Sequence, residues 1–178
     1  MEETAIVKES NQQPREKQPP LMLGVSGLGG WLILVQIGLY LTILLNILTL
    51  NNDTLPAFSP GTWEMLTSKD SSWYDSLWAP LLIFELVVNI LLILVSLFCL
   101  YNMYQKKSIF PKLMIIVYSL SLFIVILEYI LINQISIVSE YGLSGPDDVK
   151  DIVRAAITCA IWIPYFLKSE RVQNTFIQ

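Results

Sequence analysis

The chain has 178 residues, of which 54% are hydrophobic and only 15% are charged, whereas an average soluble domain has about 25% charged residues. Its formal charge is -4, and its eleven Lys and Arg residues are spread in short groups rather than in the basic stripe that nucleic acid needs. It contains no histidine, the usual metal ligand and general base. We therefore expect a membrane protein that is not an enzyme, with no metal, no cofactor and no nucleic-acid partner.

A polar segment opens the chain. Residues 1–25 are rich in Glu, Gln and Pro, and such a segment buries too little apolar surface to fold. We predict a flexible cytoplasmic tail there.

Four apolar runs follow, and each reaches or approaches the roughly 20 residues that a helix needs to cross a hydrocarbon core of about 30 Å. The fourth run is the weakest, because Asp151 and Arg154 lie near its start and Pro164 lies near its end. The sequence therefore predicts an all-α integral membrane protein, a four-helix bundle with up-down-up-down topology in a domain over residues 26–170. The predicted spans are about 28–50, 79–101, 113–137 and 149–167.

The connections between the spans predict the orientation of the bundle. Cytoplasmic loops carry an excess of Lys and Arg, and these residues cluster in the tail, before the third span and in the C-terminal segment 168–178. Those three regions are predicted to be cytoplasmic, and the two acidic loops face outward. The first outer loop is the longer, and Ser59 with Pro60 predicts the start of a short helix in it.

The predicted spans contain three ionisable side chains, Glu85, Glu128 and Arg154. At 1.5 Å per helical residue they lie at a similar depth together with Asn46, and Asn89 shares a helix face with Glu85. A charge in the bilayer costs at least about 2.5 to 3.5 kcal/mol. We therefore predict a buried Glu, Arg, Glu cluster in which Arg154 pairs with Glu128, with Glu85 or with both.

Two interpretations of this cluster stay open. The three groups carry one net negative charge, which a bound proton would neutralise in a proton-linked or ligand-binding site. Alternatively, the ion pair only fixes the rotation of the helices. A cavity that reaches Glu85 and Arg154 would favour the first interpretation, and a dry, packed cluster would favour the second.

Cys99 and Cys159 both fall inside apolar runs. Neither has a neighbouring Cys or His with which to form a redox or zinc motif. We predict that both are small buried hydrophobic residues.

Several short motifs resemble the small bacterial four-span inner-membrane proteins of the domain-of-unknown-function 2569 family. The resemblance rests on a glycine-tryptophan start at 27–32, a proline-led helix at 77–89, the pair Phe110 and Pro111, and Arg154. Its most specific part is a C-terminal motif formed by Trp162, Pro164, Tyr165, Ser169, Arg171, Thr175 and Phe176.

This resemblance implies a multi-pass protein of the bacterial inner membrane. The charge of the loops predicts that both termini lie in the cytoplasm. The family often shows Asp on the third helix where this chain has Glu128, so the carboxylate is kept but its reach differs. The resemblance implies no activity, substrate or cofactor.

Two classes of function fit these observations better than an enzyme does. We favour an accessory or interaction protein, which presents its bundle and C-terminal motif to lipid, to another membrane protein or to a second copy of itself. The alternative is a small proton-linked transporter or channel component that uses the Glu, Arg, Glu cluster. The C-terminal segment is amphipathic, which indicates a position on the inner membrane surface, unless it is only a basic end to the last span.

Overall fold

The protein is described by a computed structural model that covers residues 26–141 and 146–177, with side chains from 149 onward in the second range. The predicted tail over residues 1–25 lies outside the described residues. Within them the chain forms α-helices and one π-helical turn. In chain order the elements are α1 (Trp31–Thr49), the π-helical turn (Leu50–Thr54), α2 (Leu55–Ala57), α3 (Pro60–Thr67), α4 (Trp78–Tyr104), α5 (Phe110–Asn133), α6 (Ser136–Glu140), α7 (Pro146–Lys168) and α8 (Glu170–Thr175).

Three helical segments are long and apolar enough to cross a membrane. They are Trp31–Ala57, Trp78–Tyr104 and Phe110–Asn133. The predicted fourth span corresponds to α7, which has 23 residues and packs along α5. The first half of α7 carries Lys150, Asp151 and Arg154, so α7 is less apolar than the three helical segments that are apolar enough to cross a membrane. The structure thus confirms an all-helical bundle with three membrane-capable helices and a fourth helix beside them.

The long helices form two tightly packed pairs, α1 with α4 and α5 with α7. The contact between the pairs is thinner and runs mainly between α4 and α5. Successive long helices run in opposite directions, so the bundle has two ends. We call the end that holds residues 26–31, 105–110 and 169–177 the chain-end side, and the end that holds residues 50–77 and 133–141 the loop side.

The apolar core lies at the chain-end side. Large side chains from the two helix pairs and from α8 interlock there, and burial of apolar surface stabilises such contacts by about 25 cal/mol per Å². The loop side has only a small cluster of Leu81, Ile135 and Val138. The buried residues of the main core are Leu32, Val35, Leu39, Cys99, Leu100, Met103, Phe110, Met114, Phe166, Val172 and Phe176.

The two described ends of the chain meet at the chain-end side in a contact that we call the terminal clasp, made of residues 27–31, Phe110 and residues 162–176. The backbone N–H of Gly27 donates to Thr175 Oγ1 over 2.8 Å, and the Thr175 hydroxyl lies 2.6 Å from the backbone oxygen of Arg171. Thr175 is 3% exposed. One buried hydroxyl therefore links the start of α1 to α8.

Aromatic rings complete the terminal clasp. The rings of Phe110 and Phe176 lie 4.6 Å apart between centroids, and Phe110 also meets Phe166 edge to face at 5.9 Å. Trp31 packs edge to face on Trp162 at 6.1 Å. Such pairs add about 0.5–1.5 kcal/mol each beyond their buried area, so the start of α5 is held together with both chain ends.

At the loop side, Asp75 ties the loop before α4 to the start of α6. Its Oδ1 accepts the backbone N–H of Leu77 and its Oδ2 accepts that of Ser136, each over 3.0 Å. Both N–H groups lower the pKa of the Asp75 carboxyl from its ordinary value, because they stabilise the charged form. The N–H of Leu77 has the larger effect. The predicted third span ends early, at Asn133, because Ile135 is extended and α6 begins anew.

The short helix predicted in the first loop is present as α3, which begins at Pro60 after Ser59. The cap differs from the usual pattern. The Ser59 hydroxyl donates to Thr62 Oγ1 over 3.0 Å and accepts no backbone N–H. The proline at the first helical position, which fits there because its missing N–H is not needed, is therefore the stronger of the two signals.

Candidate functional site

The loop-side half of the bundle contains a cavity of about 340 Å³ between the helices. We call it the loop-side cavity. Its wall mixes apolar side chains with carboxylates, amides and hydroxyls, which is unusual for the interior of a membrane-capable bundle, because unpaired polar groups there are costly. The lining residues are Asn46, Thr49, Leu81, Glu85, Val88, Asn89, Leu92, Ser121, Ile124, Val125, Glu128, Tyr129, Ile132 and Asp151.

A second cavity, of about 710 Å³, lies between α1 and α7 and is bordered by α4 and α5. We call it the central cavity. Its α7 wall includes Asp151, Arg154 and Thr158, and its α1 wall includes Gly38 and Thr42. The two cavities share several lining residues and are therefore adjacent. The shared residues are Asn46, Leu92, Ser121, Val125, Glu128 and Asp151.

All five members of the predicted polar cluster line one or both cavities: Asn46, Glu85, Asn89, Glu128 and Arg154. The structure therefore brings them around two adjacent cavities, and we call the polar residues that line these cavities the polar seam. Direct bonds among them are few. The seam is lined by three carboxylates, those of Glu85, Glu128 and Asp151, and by one guanidinium, so its charged groups sum to a negative value.

The most ordered part of the polar seam is a hydrogen-bonded group at Glu85. The Thr54 hydroxyl donates to Glu85 Oε1 over 3.1 Å. Asn89 Nδ2 donates to Thr54 Oγ1 over 3.3 Å and to the backbone oxygen of Glu85 over 3.1 Å. Thr54 is 1% exposed and Asn89 is 7% exposed, so the carboxylate of Glu85 is anchored on one oxygen by a buried hydroxyl.

Sequence reasoning missed Thr54. It belongs to the π-helical turn that continues α1 beyond the predicted end of the first span. A π-helical turn contains an extra residue, shifts the following side chains around the axis and is frequent at functional sites. Asp53 and the two asparagines before it had indicated a loop, so no signal in the sequence pointed to a buried threonine facing Glu85.

Glu128 is half-buried and lines both cavities. Within the described part of the chain its carboxylate makes no hydrogen bond and no ion pair. Glu85 lines the loop-side cavity together with Glu128. Two carboxylates of one sign thus face the same cavity, one anchored and one without a bonding partner in the described ranges.

The predicted ion pair of Arg154 with Glu85 or Glu128 is wrong in this structure. Arg154 Nη1 instead pairs with Asp151 Oδ1 over 2.8 Å, and the two side chains are 77% and 56% exposed. The competing acid lies one turn earlier on the same helix, where residues three apart are neighbours. An exposed pair of this kind contributes only about 0.2–0.5 kcal/mol, so Arg154 borders the central cavity without locking the helices together.

Asn46 has a local bond of its own. Its Nδ2 donates to the backbone oxygen of Thr42 over 2.8 Å, one turn earlier on α1. This leaves its side-chain oxygen available to the polar seam, because an amide has both donor and acceptor groups.

The C-terminal motif lies at the opposite end of the bundle from Glu85, inside the terminal clasp. One face of α8 packs on the protein, because Val172, Thr175 and Phe176 are buried against the core. Ser169 caps α8 by accepting the backbone N–H of Val172. Pro164 lies inside α7. The motif is therefore a packing motif that joins both ends of the chain.

Both cysteines are buried, as predicted. Cys99 lies in the main core, and Cys159 Sγ is 3.2 Å from the backbone oxygen of Tyr118. Each sulfur is free of any disulfide.

The comparisons with known proteins agree with the resemblance seen in the motifs. Residues 25–177 match a family model described as protein of unknown function (DUF2569). No curated protein and no solved structure matches the chain.

Proposed function

This chain belongs to the DUF2569 family, and we propose that it acts as a small proton-linked transporter or channel component rather than as an enzyme. One observation carries the proposal. Glu85 and Glu128 both line the loop-side cavity, with no basic side chain bonded to either among the described residues, so their like charges would repel each other there. A bound proton or a small cationic solute would relieve that repulsion.

The two carboxylates have different parts in this proposal. Thr54 holds Glu85 on one oxygen, so Glu85 is the fixed group. Glu128 has no bonding partner within the described ranges and borders both cavities, so its side chain is the one that can exchange a proton between them. Carboxylates inside membrane helices commonly serve as such proton relays.

We also propose that the protein lies in a bacterial inner membrane, crosses it four times with α7 as the fourth span, and has both termini in the cytoplasm. The distribution of charge supports this orientation, since the positive residues of short loops favour the cytoplasm. The loop side carries several acidic residues, among them Asp70 and Asp75. The basic residues of the chain-end side are Lys106, Lys107, Lys112, Lys168 and Arg171.

The transport proposal is tested by proton flux. Purified protein is reconstituted in liposomes that contain a pH-sensitive dye, and the external solution is acidified. We expect wild-type vesicles to acidify faster than empty ones, and Glu128→Gln to remove most of that difference while Glu85→Gln reduces it. Gln keeps the size of Glu and loses its proton exchange.

The matched control is Glu64→Gln, because Glu64 is exposed on α3 and borders neither cavity. It should conduct like the wild type. Flux through Glu128→Gln at the wild-type rate, in protein that elutes and melts like the wild type, would refute the proposal.

A second candidate is the accessory or interaction protein, and one surface feature favours it. On the outside of the α1–α4 pair, Gln36 Nε2 donates to the Tyr104 hydroxyl, and the hydroxyls of Tyr104 and Tyr40 lie 2.9 Å apart. Tyr40 and Tyr104 are each about half exposed. Polar groups on a lipid-facing surface favour contact with another helix, which offers them hydrogen-bond partners.

The interaction proposal commits to a second copy of the chain as the partner on this surface. Cross-linking of purified wild type in nanodiscs is compared with the double variant Tyr40→Phe, Tyr104→Phe. A dimer band that weakens in the double variant supports this proposal, and wild type that stays monomeric over the whole range of protein-to-lipid ratios contradicts it.

A further inference from the structure

Arg171 occupies an unusual position in the terminal clasp. It is half-buried on α8, and its guanidinium lies directly on the backbone of Gly29 and Gly30. A methyl group added to Gly29 would lie 3.1 Å from Arg171 Nη1, and one added to Gly30 would lie 3.4 Å from the guanidinium carbon. A methyl group would therefore be tight against the guanidinium at Gly29 and in contact with it at Gly30.

The guanidinium has no anion beside it in the described part of the chain. It makes no hydrogen bond and no ion pair there, although arginine keeps its charge at any ordinary pH. The neighbouring acid, Glu170, is exposed to the surroundings. Partly burying a guanidinium without an acceptor is unfavourable, so an anion from outside the chain would stabilise this arrangement.

The surroundings indicate which anion is at hand. Trp31 follows Gly30 directly, is 60% exposed and packs on Trp162. Tryptophans at the ends of membrane helices lie at the level of the lipid headgroups. Lys168 is exposed on the same side of the bundle, so the local field at this level is positive.

We propose that Arg171, laid against Gly29 and Gly30, binds the phosphate group of a membrane phospholipid. A guanidinium presents two parallel N–H donors that match two phosphate oxygens, which a lysine ammonium cannot do. The same chemistry would accept a soluble phosphate. This site lies at the end of the molecule opposite Glu85 and is independent of the transport proposal.

The test uses native mass spectrometry of the full-length protein in detergent, with phosphatidylglycerol or phosphatidylcholine added. We expect wild type to retain phosphatidylglycerol, and Arg171→Gln to bind it about tenfold more weakly, as expected for the loss of a hydrogen bond to a charged group. Lys69→Gln is the control, because Lys69 is an exposed charge at the loop side, at the opposite end of the molecule from Arg171. Its affinity should stay close to that of the wild type.

A parallel experiment adds inorganic phosphate and follows thermal unfolding of the protein. It distinguishes a phospholipid phosphate from a soluble phosphate as the ligand of Arg171. Protection by phosphate that is lost in Arg171→Gln, without selective lipid binding, assigns the same site to a soluble anion. Equal lipid affinity of folded Arg171→Gln and wild type overturns the proposal. Where Arg171→Gln does not fold, Arg171→Lys, which keeps the charge and loses the fork, replaces it, and unchanged affinity in that variant is the overturning result.

Discussion

The backbone N–H of Gly27 donates to Thr175 Oγ1, a contact between residues 148 positions apart in sequence. The hydroxyl that accepts it is buried. Because the two residues lie near the two ends of the described chain, this bond holds the start of α1 against α8 and encloses the main core between them.

We predict that Thr175→Val destabilises the protein by about 1–3 kcal/mol, because valine keeps the shape of threonine and leaves the Gly27 N–H without its acceptor. Thermal unfolding in detergent measures the change. The control is Thr158→Val, since the Thr158 hydroxyl only donates to Arg154 O in its own helix. A melting temperature of Thr175→Val equal to that of this control would contradict the prediction.

Gly30→Ala should destabilise the protein by about 1–3 kcal/mol. Gly30 has φ 62° and ψ -134°, a backbone conformation that alanine adopts only under strain, and the added methyl would meet the Arg171 guanidinium. Gly38→Ala is the matched control, because a methyl at Gly38 has open space and alanine favours a helix interior by about 0.5–1 kcal/mol. The prediction requires opposite shifts in melting temperature for the two variants.

Thr54→Val should lower both stability and proton flux. It removes the donor to Glu85 Oε1 and the acceptor of Asn89 Nδ2 from a buried site, which costs about 1–3 kcal/mol. Thr54→Ser keeps the hydroxyl and should conduct like the wild type. Thr49→Val changes another threonine of the loop-side cavity, and an equal loss of flux in that variant would show that the effect is not specific to the Glu85 contact.

Asp75 should contribute stability that depends on pH. Its pKa in the folded protein is lowered from the ordinary value of 3.8, so this contribution is fully present above that value and is lost as the pH falls through the lowered pKa. The melting temperatures of wild type and Asp75→Asn, measured from pH 6 down to pH 3, should therefore differ most at the upper end and converge at the lower. A constant difference for Asp75→Asn across the range would contradict the assignment.

The long helices could be predicted because apolar runs in a membrane must satisfy their own backbone, and only a helix does so within one segment. Two local features could not be predicted from the sequence. The π-helical turn that places Thr54 at Glu85 and the break at Ile135 that exposes the Ser136 N–H to Asp75 both depend on contacts between distant residues. Helical periodicity carries no information on such contacts.

The ion-pair partner of Arg154 could not be predicted either, for a different reason. Depth and helix face correctly placed it around the same polar seam as Glu128, but they did not identify its partner. Helical depth points to acids on other helices at the same level. The partner is Asp151, the acid nearest in sequence, because the pair forms within one turn of α7.

The C-terminal motif was recognised as specific, but its role was not. Its residues are amphipathic when α8 is considered alone, which indicates a surface helix. In the structure the apolar side of α8 packs against Phe110 and the core. The backbone N–H of Gly27 bonds to Thr175 and Arg171 lies against residues 29–30, so these contacts join α8 to the start of α1.

The uneven packing of the four long helices has a consequence for motion. The α1–α4 pair and the α5–α7 pair make few contacts with each other. Glu85, Glu128, the loop-side cavity and the central cavity lie at the interface between the pairs. Separating the halves there disrupts less apolar contact than bending either one. The main core and the terminal clasp join the halves at the chain-end side, so we expect any separation of the halves to be largest at the loop side, beside Glu85 and Glu128.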